Sequence, residues 1–270
     1  MNLFHKYNLV KFINKIQHKE EKIQFLGFVL LNESTWNKEK FLKDLKKDWD
    51  ITLTKEIEEP SDYKAPICAS YNNLSVLASI IESKIPNQEA EINAEFNHTW
   101  KDAVEITKTH KAHIMLSVSG PKSKYKELSI LLVKLISSCL KQDNAIAVFQ
   151  YSNIYEPKVY QEAAKITKDN ILQIFNLVWL GVAKTEKITI LYTNGMEQFN
   201  KEDIEICVEN EKFNIAEIQE FLINIVSYVL ESDVILKDGE TIGLTAEQKL
   251  KITYSKGIAL PRNTLKIEYK

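Results

Sequence analysis

Asp238-Gly239-Glu240-Thr241-Ile242-Gly243, followed by Lys249-Leu250-Lys251-Ile252-Thr253-Tyr254 and Thr264-Leu265-Lys266-Ile267-Glu268-Tyr269, is the stretch that decides the fold class. Leu250, Ile252 and Tyr254 share one side of an extended chain, and Lys249, Lys251 and Thr253 share the other. Leu265, Ile267 and Tyr269 repeat the pattern against Thr264, Lys266 and Glu268. Such alternation describes antiparallel strands with one wet face, whose apolar face must be covered. Residues 215–230 supply the cover: their apolar positions recur at helical spacing, Asn214 stands as cap, and Glu217 approximates the partner of a capping box. Asp238-Gly239 is expected to form a type I′ hairpin turn, in which both central residues adopt positive φ.

Working outward, residues 23–31 read as a buried strand, and Ser34 as the cap of a helix carrying Trp36, Phe41, Leu42, Leu45 and Trp49. Residues 67–71 and 74–81 flank Asn72-Asn73 as a hairpin. Pro86 and Asn87 open one long helix to about His110, with Ile92, Phe96, Ala103 and Ile106 on one face. A strand at 112–118, a helix at 124–141 and a strand at 145–151 complete this half, and the polar stretch 151–157 marks a boundary. The second half supplies a helix near 158–166 and strands at 172–182, 188–192 and 204–208. The expectation is an α+β protein with two mixed α/β lobes, 23–152 and 153–270, largely antiparallel sheets, and a C-terminal β-meander backed by a helix. Ahead of them, residues 1–22 are expected to form an amphipathic helix, with Leu3, Tyr7, Val10 and Ile13 near helical spacing.

Composition narrows the function classes. A chain of 270 residues, 44% hydrophobic and 27% charged, can bury a large core and keep a polar surface. Its net charge of -2, with Arg262 as the one arginine among lysines, offers neither a basic field nor the guanidinium forks of nucleic-acid readers. Cys68, Cys139 and Cys207 lack the paired spacing of a disulfide framework or zinc knuckle, which suits a reducing, cytoplasmic setting. The apolar run 171–183 is too short to span a bilayer.

Three constellations could carry chemistry. Glu95 and His98, followed by His110 and His113, have metal-ligand character, but His98 and His110 would lie about 18 Å apart on one helix. No metal or cofactor is expected, and Glu95, His110 and His113 are the residues that could hold an ion. Ser119-Gly120-Pro121-Lys122-Ser123 stands between a strand and a helix, yet has too few glycines to cradle phosphate. The acidic group Glu197, Glu202, Asp203 and Glu205, beside Thr193-Asn194-Gly195-Met196, could serve acid–base hydrolysis through Glu205, with His113 as the other catalytic candidate.

Several blocks together resemble a bacterial family of uncharacterised proteins, domain of unknown function forty-two sixty-one. They are Trp100-Lys101-Asp102-Ala103, His110-Lys111-Ala112-His113-Ile114, Tyr192-Thr193-Asn194-Gly195-Met196 with Phe199, Tyr228-Val229-Leu230, and Asp238-Gly239-Glu240-Thr241-Ile242-Gly243 through Lys266-Ile267-Glu268-Tyr269. Where the family pattern has Phe-Gly-Lys, this chain has Phe199-Asn200-Lys201. The resemblance implies a cytoplasmic accessory protein, of a kind that sits beside toxin genes as an immunity factor. The resulting expectation is a non-enzymatic protein that binds a protein partner such as a toxin through an exposed sheet edge or acidic surface. Asn194, Glu197, Glu205, Asp238 and Glu240 are its binding candidates; the alternative is a carboxylate- or histidine-dependent hydrolase.

Overall fold

The computed structural model describes residues 21–55, 64–210 and 213–269; the helix expected over 1–22 lies almost wholly outside them. Strands β1 (Lys22–Leu31), β2 (Thr54–Lys55), β3 (Ile67–Tyr71), β4 (Leu74–Ile81), β5 (Ala112–Pro121), β6 (Ala145–Gln150) and β7 (Asn153–Tyr155) build a seven-stranded sheet in the order β2-β3-β4-β5-β1-β6-β7. All its pairings are antiparallel. Strands β8 (Trp179–Lys184), β9 (Ile188–Asn194), β10 (Ile204–Glu209), β11 (Thr241–Ile242), β12 (Leu250–Lys256) and β13 (Asn263–Ile267) form a six-stranded sheet in the order β11-β12-β13-β10-β9-β8. There β10 and β13 run parallel, and the other pairs antiparallel. The helices are α1 (Lys38–Trp49), α2 (Glu89–Ala94), α3 (Ala103–Lys108), α4 (Tyr125–Cys139), α5 (Pro157–Ala164) and α6 (Ile215–Glu231). The architecture is the expected α+β class.

The alternation of β1 sorts its side chains between two hydrophobic clusters. Phe25, Val29 and Leu31 join the main core with Leu128, Leu132 and Ile136 of α4. Gly27 permits this approach, because a Cβ there would stand 2.6 Å from Ile136 Cδ1. Leu30 instead joins Ala147 and Phe149 of β6, Ile154 of β7, and Ala90, Ala94 and Ala103 of α2 and α3 in a smaller cluster, with Phe28 and Trp100 packed against it.

Local hydrogen bonds decide several boundaries differently from periodicity. Asn37, not Ser34, caps α1, its Oδ1 accepting from Lys40 N at 2.8 Å. The long helix expected from Pro86 to His110 is two short ones. Asn97 Oδ1 accepts from the backbone N–H groups of Thr99 and Trp100 and from the Thr99 hydroxyl, closing an Asx turn that stops the helical ladder. The strand expected over 172–182 begins only at Trp179, because Gln173 Oε1 caps a 3₁₀ turn at Ile174–Asn176. Asn72 and Asn73 both adopt positive φ, as the expected β3–β4 hairpin requires. Tyr151 and Ser152 do the same between β6 and β7, so the turn at 151–152 closes a hairpin at the end of the first sheet.

In the C-terminal meander Ile252 lies opposite Ile267 and Thr253 opposite Lys266, and Leu250, Ile252, Leu265 and Ile267 enter the core as expected, but the other face is not the wet one expected, since Thr264 is fully buried there while Tyr254 is exposed. Asn214 Oδ1 caps α6 by accepting from Ala216 N at 3.0 Å, while Glu217 accepts from the Asn214 side-chain amide. Ile218, Phe221, Leu222 and Ile225 of α6 are buried, and the Tyr269 ring meets Phe221 at 5.2 Å. The Asp238-Gly239 turn departs from expectation. Of its central pair only Gly239 has positive φ, at 81°, and Glu240 N donates to Lys237 O at 3.2 Å, which is type II geometry. It leads into β11, and the β11–β12 hairpin is closed by the longer connection 243–249.

The two sheets share the main core. Phe199 is the joint: its ring lies 5.4 Å from Phe25 of β1 and 6.2 Å from Tyr125 of α4. The Tyr125 hydroxyl donates to the Leu230 carbonyl near the end of α6, and burial, with Asp233 and Glu231 nearby, pushes its pKa up to about 12. Among the described residues no helix is long and apolar enough to cross a membrane. A shared core predicts one cooperative unfolding transition. Phe199→Ala should lower its free energy by about 3 kcal/mol or more in a urea titration; two separate transitions in the wild-type protein would show that the sheets fold independently.

Candidate functional site

One row of side chains crosses the second sheet in register: Thr253 of β12, Lys266 of β13, Glu205 of β10, Tyr192 of β9 and Gly181 of β8. The next row, Ile252, Ile267, Ile206, Leu191 and Val182, points to the opposite face, where its first four members enter the core. The polar row is covered in its turn. Glu205 is 0% exposed and Asp203, two residues earlier, is 2% exposed. Ionised carboxylates so placed need partners, and each has a full set.

Glu205 is satisfied by the loop that connects β12 to β13. Its Oε1 and Oε2 accept from Ile258 N at 3.0 and 2.9 Å, and Oε1 also accepts from Ala259 N at 3.0 Å and Leu260 N at 3.3 Å. Lys266 Nζ stands 3.8 Å from Oε2 while donating to Ser255 Oγ at 2.9 Å. Gly257 makes the turn possible, since a Cβ there would lie 2.4 Å from Leu260 O and 3.1 Å from Glu205 Oε1.

Asp203 holds the other foot of that loop. Its Oδ1 accepts from the Thr193 hydroxyl at 2.8 Å and from Met196 N at 3.1 Å. Its Oδ2 accepts from Arg262 through Nε at 3.2 Å and through Nη2. Arg262 Nη2 also donates to Asn194 Oδ1, and Asn194 Nδ2 reaches Asn153 Oδ1 of β7 at 3.4 Å. The single arginine of the chain thus clamps a buried carboxylate with its planar fork. Two neighbours feel the enclosure. Burial, and then Glu205, raise the Cys207 thiol pKa, with Lys266 pulling the other way, so the group stays a thiol. Burial also raises the Tyr192 hydroxyl pKa, against a hydrogen bond with Trp179 and with Glu205 adding to the rise.

The expected site residues therefore divide. Asn194 and Glu205 are brought into one network. Glu197 is exposed on the 3₁₀ turn Met196–Phe199. Asp238 and Glu240 lie at the β11 edge, where Asp238 Oδ1 accepts from Tyr254 N and Glu240 Oε2 from Lys237 N, each bond shaping the turn. Glu205 is not part of an acidic surface, because the loop amides have drawn its charge inside. Of the candidate histidines, His113 stands on β5 of the first sheet and His110 just before it, while His98 is exposed between α2 and α3. His110 is fully buried with both ring nitrogens engaged, Nδ1 with Thr107 O at 2.6 Å and Nε2 with Ile85 N at 3.0 Å, which leaves no lone pair for an ion. His113 Nδ1 donates to Ser83 O at 2.8 Å. Glu95 is exposed beyond the end of α2, and among the described residues no three His, Cys, Asp or Glu side chains gather in a metal-binding group.

Sequence reasoning missed Arg262 and Lys266 as partners of the acidic group, and missed the loop. The signals were there: one arginine in a lysine-rich chain, and Gly257 opening the apolar run Ile258-Ala259-Leu260-Pro261 between polar strands.

Residues 192–268 match DUF4261, a domain of unknown function. The DUF4261 segment contains every carboxylate, cation and loop residue of this network, from Tyr192 through Asp203, Glu205 and Arg262 to Lys266. No curated protein and no solved structure matches the chain.

Chemically the network is suited to holding. Both carboxylates are saturated, and the cations beside them are committed to protein acceptors. Glu205→Gln would turn an amide NH₂ or a neutral oxygen toward donors that need an anion. It should cost about 1–3 kcal/mol and speed amide exchange at Ile258, Ala259 and Leu260. Arg262→Lys keeps the charge and loses the fork, with a similar loss expected in urea titrations. Unchanged loop exchange in Glu205→Gln would show that Glu205 does not hold the loop.

Proposed function

We propose that the protein is a non-enzymatic binding protein that recognises a protein partner through the 257–262 loop. The observation that carries this reading is the dedication of a fully buried carboxylate to the backbone of an exposed apolar loop. Ile258 is 52% exposed, Pro261 is exposed, and Ala259 and Leu260 are partly so, yet their N–H groups are fixed by Glu205 and the loop's far end by Arg262 and Asp203. Fixing a loop before association lowers the ordering cost of binding, and apolar side chains on a rigid support are the usual anchors of an interface. Buried ion pairs seldom add stability over apolar packing, so an arrangement this elaborate is better explained by the loop geometry it specifies.

A partner that receives this loop offers an apolar socket. Neutralisation of a toxin, as an immunity factor does, is the form of this function that the sequence resemblance favours. The same geometry argues against the carboxylate hydrolase, since Glu205 would have to give up the loop amides to reach a substrate.

The test is co-expression with the product of the adjacent gene, followed by size-exclusion chromatography and titration calorimetry. The two chains should elute together. Ile258→Asp should weaken the complex by about tenfold or more while leaving the melting temperature unchanged, as expected for an exposed anchor. Separate elution, or full affinity in Ile258→Asp and in Leu260→Asp, would count against the loop as the recognition element.

A further inference from the structure

We propose that His110 is an acid-sensitive latch that ties the two ends of the α2–α3 layer together beside the first sheet, closed when the imidazole is neutral and opened by one proton from solvent. Ile85 N–H can only donate, so the ring nitrogen it meets at 3.0 Å, Nε2, must be the acceptor. Nδ1 then carries the hydrogen and donates to Thr107 O at 2.6 Å. This one tautomer joins Ile85, where the chain leaves β4 for α2, to Thr107 near the end of α3. A proton added at Nε2 sets two donors head to head and breaks the bond to Ile85, leaving a buried backbone N–H without its acceptor.

The open state has a ready counter-ion. Glu91 of α2 is about nine-tenths buried, and its Oε1 lies 3.7 Å from His110 Nδ1, too far for a hydrogen bond in the closed state. Its Oε2 has no hydrogen-bond partner among the described residues. An imidazolium that has lost Ile85 and moves its Nδ1–H from Thr107 O toward this carboxylate gains a charge-assisted bond, which gives the latch two discrete arrangements.

Among the described residues, the other charged or titratable groups beside this site are Lys84, through Glu91, and His113. Lys84 Nζ lies 3.3 Å from Glu91 Oε1 and donates to Lys108 O at 2.7 Å. His113 of β5 holds Ser83 O on the same connection. Glu105 and Lys108 of α3 pair with each other at the surface, and β1 contributes the Phe28 ring, 5.5 Å from His113. His113 acts in the same direction. Burial holds its pKa below the ordinary 6.5, with His110 adding to the drop and the Ser83 carbonyl opposing it. A folded-state value below the unfolded one means that the unfolded chain binds the proton first. The stability present above 6.5 is therefore lost as pH falls through the lowered value.

The layer packs on a cluster separate from the main core, and its helices contribute only Ala90, Ala94 and Ala103 to the buried part of it, so it can open without the main core.

The experiment is NMR on the intact protein, following the His110 ring nitrogens and the Ile85 amide between about pH 7 and about pH 5. At the upper end His110 should show the Nδ1–H tautomer with a protected Ile85 amide. Protonation of His110 should coincide with loss of Ile85 protection by about tenfold or more, corrected for the intrinsic pH dependence of exchange, while Val29 and Ile114 stay protected. His113→Gln should leave this response in place, and Glu91→Gln should move it to lower pH by removing the counter-ion. A neutral Nε2–H tautomer at pH 7, proton uptake without change at Ile85, or simultaneous loss of protection at Val29 and Ile114 would overturn the latch.

Discussion

A carboxylate taken out of water must find its donors inside the protein, and on and just before β10 Asp203 and Glu205 face this demand two residues apart. They meet it differently. Asp203 takes the forked cation Arg262, a threonine hydroxyl and one backbone N–H. Glu205 takes three consecutive backbone N–H groups, with an ammonium near by. Each of these donors has a fixed address, so together they dictate the path of the chain from Gly257 to Arg262. Replacing the two acids by apolar residues of similar volume need not weaken the sheet. It would remove the reason for the loop to adopt one shape. The constraint thus acts on conformational choice more than on global stability.

The same physics explains which parts of the fold were legible in the sequence. Strands β12 and β13 could be read because the alternation of Leu250, Ile252, Leu265 and Ile267 reports the core face, though not that the opposite face is covered at Thr264, and α6 could be read because Asn214 and the apolar spacing agree. The break between α2 and α3 could not. Ile92, Phe96, Ala103 and Ile106 keep a helical spacing across it, although Ile92 and Phe96 are exposed. The outcome turns on Asn97, whose side chain competes with the backbone for the N–H groups of Thr99 and Trp100. Periodicity records burial and is blind to such a local contest. The Asp238-Gly239 pair failed in a related way: the dipeptide permits a type I′ turn without requiring it, and Asp238 is committed instead to Tyr254 N.

The candidate site was half legible for a different reason. The acidic residues beside Asn194 stand together in the sequence, but the groups that satisfy them return from more than 50 positions away, from Ile258 to Lys266. Charge counted along the chain therefore looked like a solvated acidic surface, and the fold turned it into an internal network. An arginine presents several donors in one plane, which a lysine cannot. Its rarity in this chain names no partner, and the fold supplies it, with Asp203 Oδ2 accepting from both Nε and Nη2 of Arg262.

Loop and latch sit at opposite ends of a gradient in how strongly parts of this protein are held. The 257–262 loop is irregular and carries exposed apolar side chains, yet every backbone donor from Ile258 to Leu260 ends on a buried carboxylate, so it moves only if the sheet behind it does. The α2–α3 layer is regular and covers an apolar face, but its cluster is small and the buried link between its two ends runs through a single imidazole tautomer. Regular structure is therefore a poor guide to rigidity here, and hydrogen-bond partners are a better one. The two regions belong to different sheets that meet through the rings of Phe25, Phe199 and Tyr125. Those rings stay packed when the layer lifts, because Phe28 and Leu30 face that layer while Phe25 faces the main core. Acid opening of the layer can thus expose new apolar surface on the first sheet while the loop of the second keeps its shape.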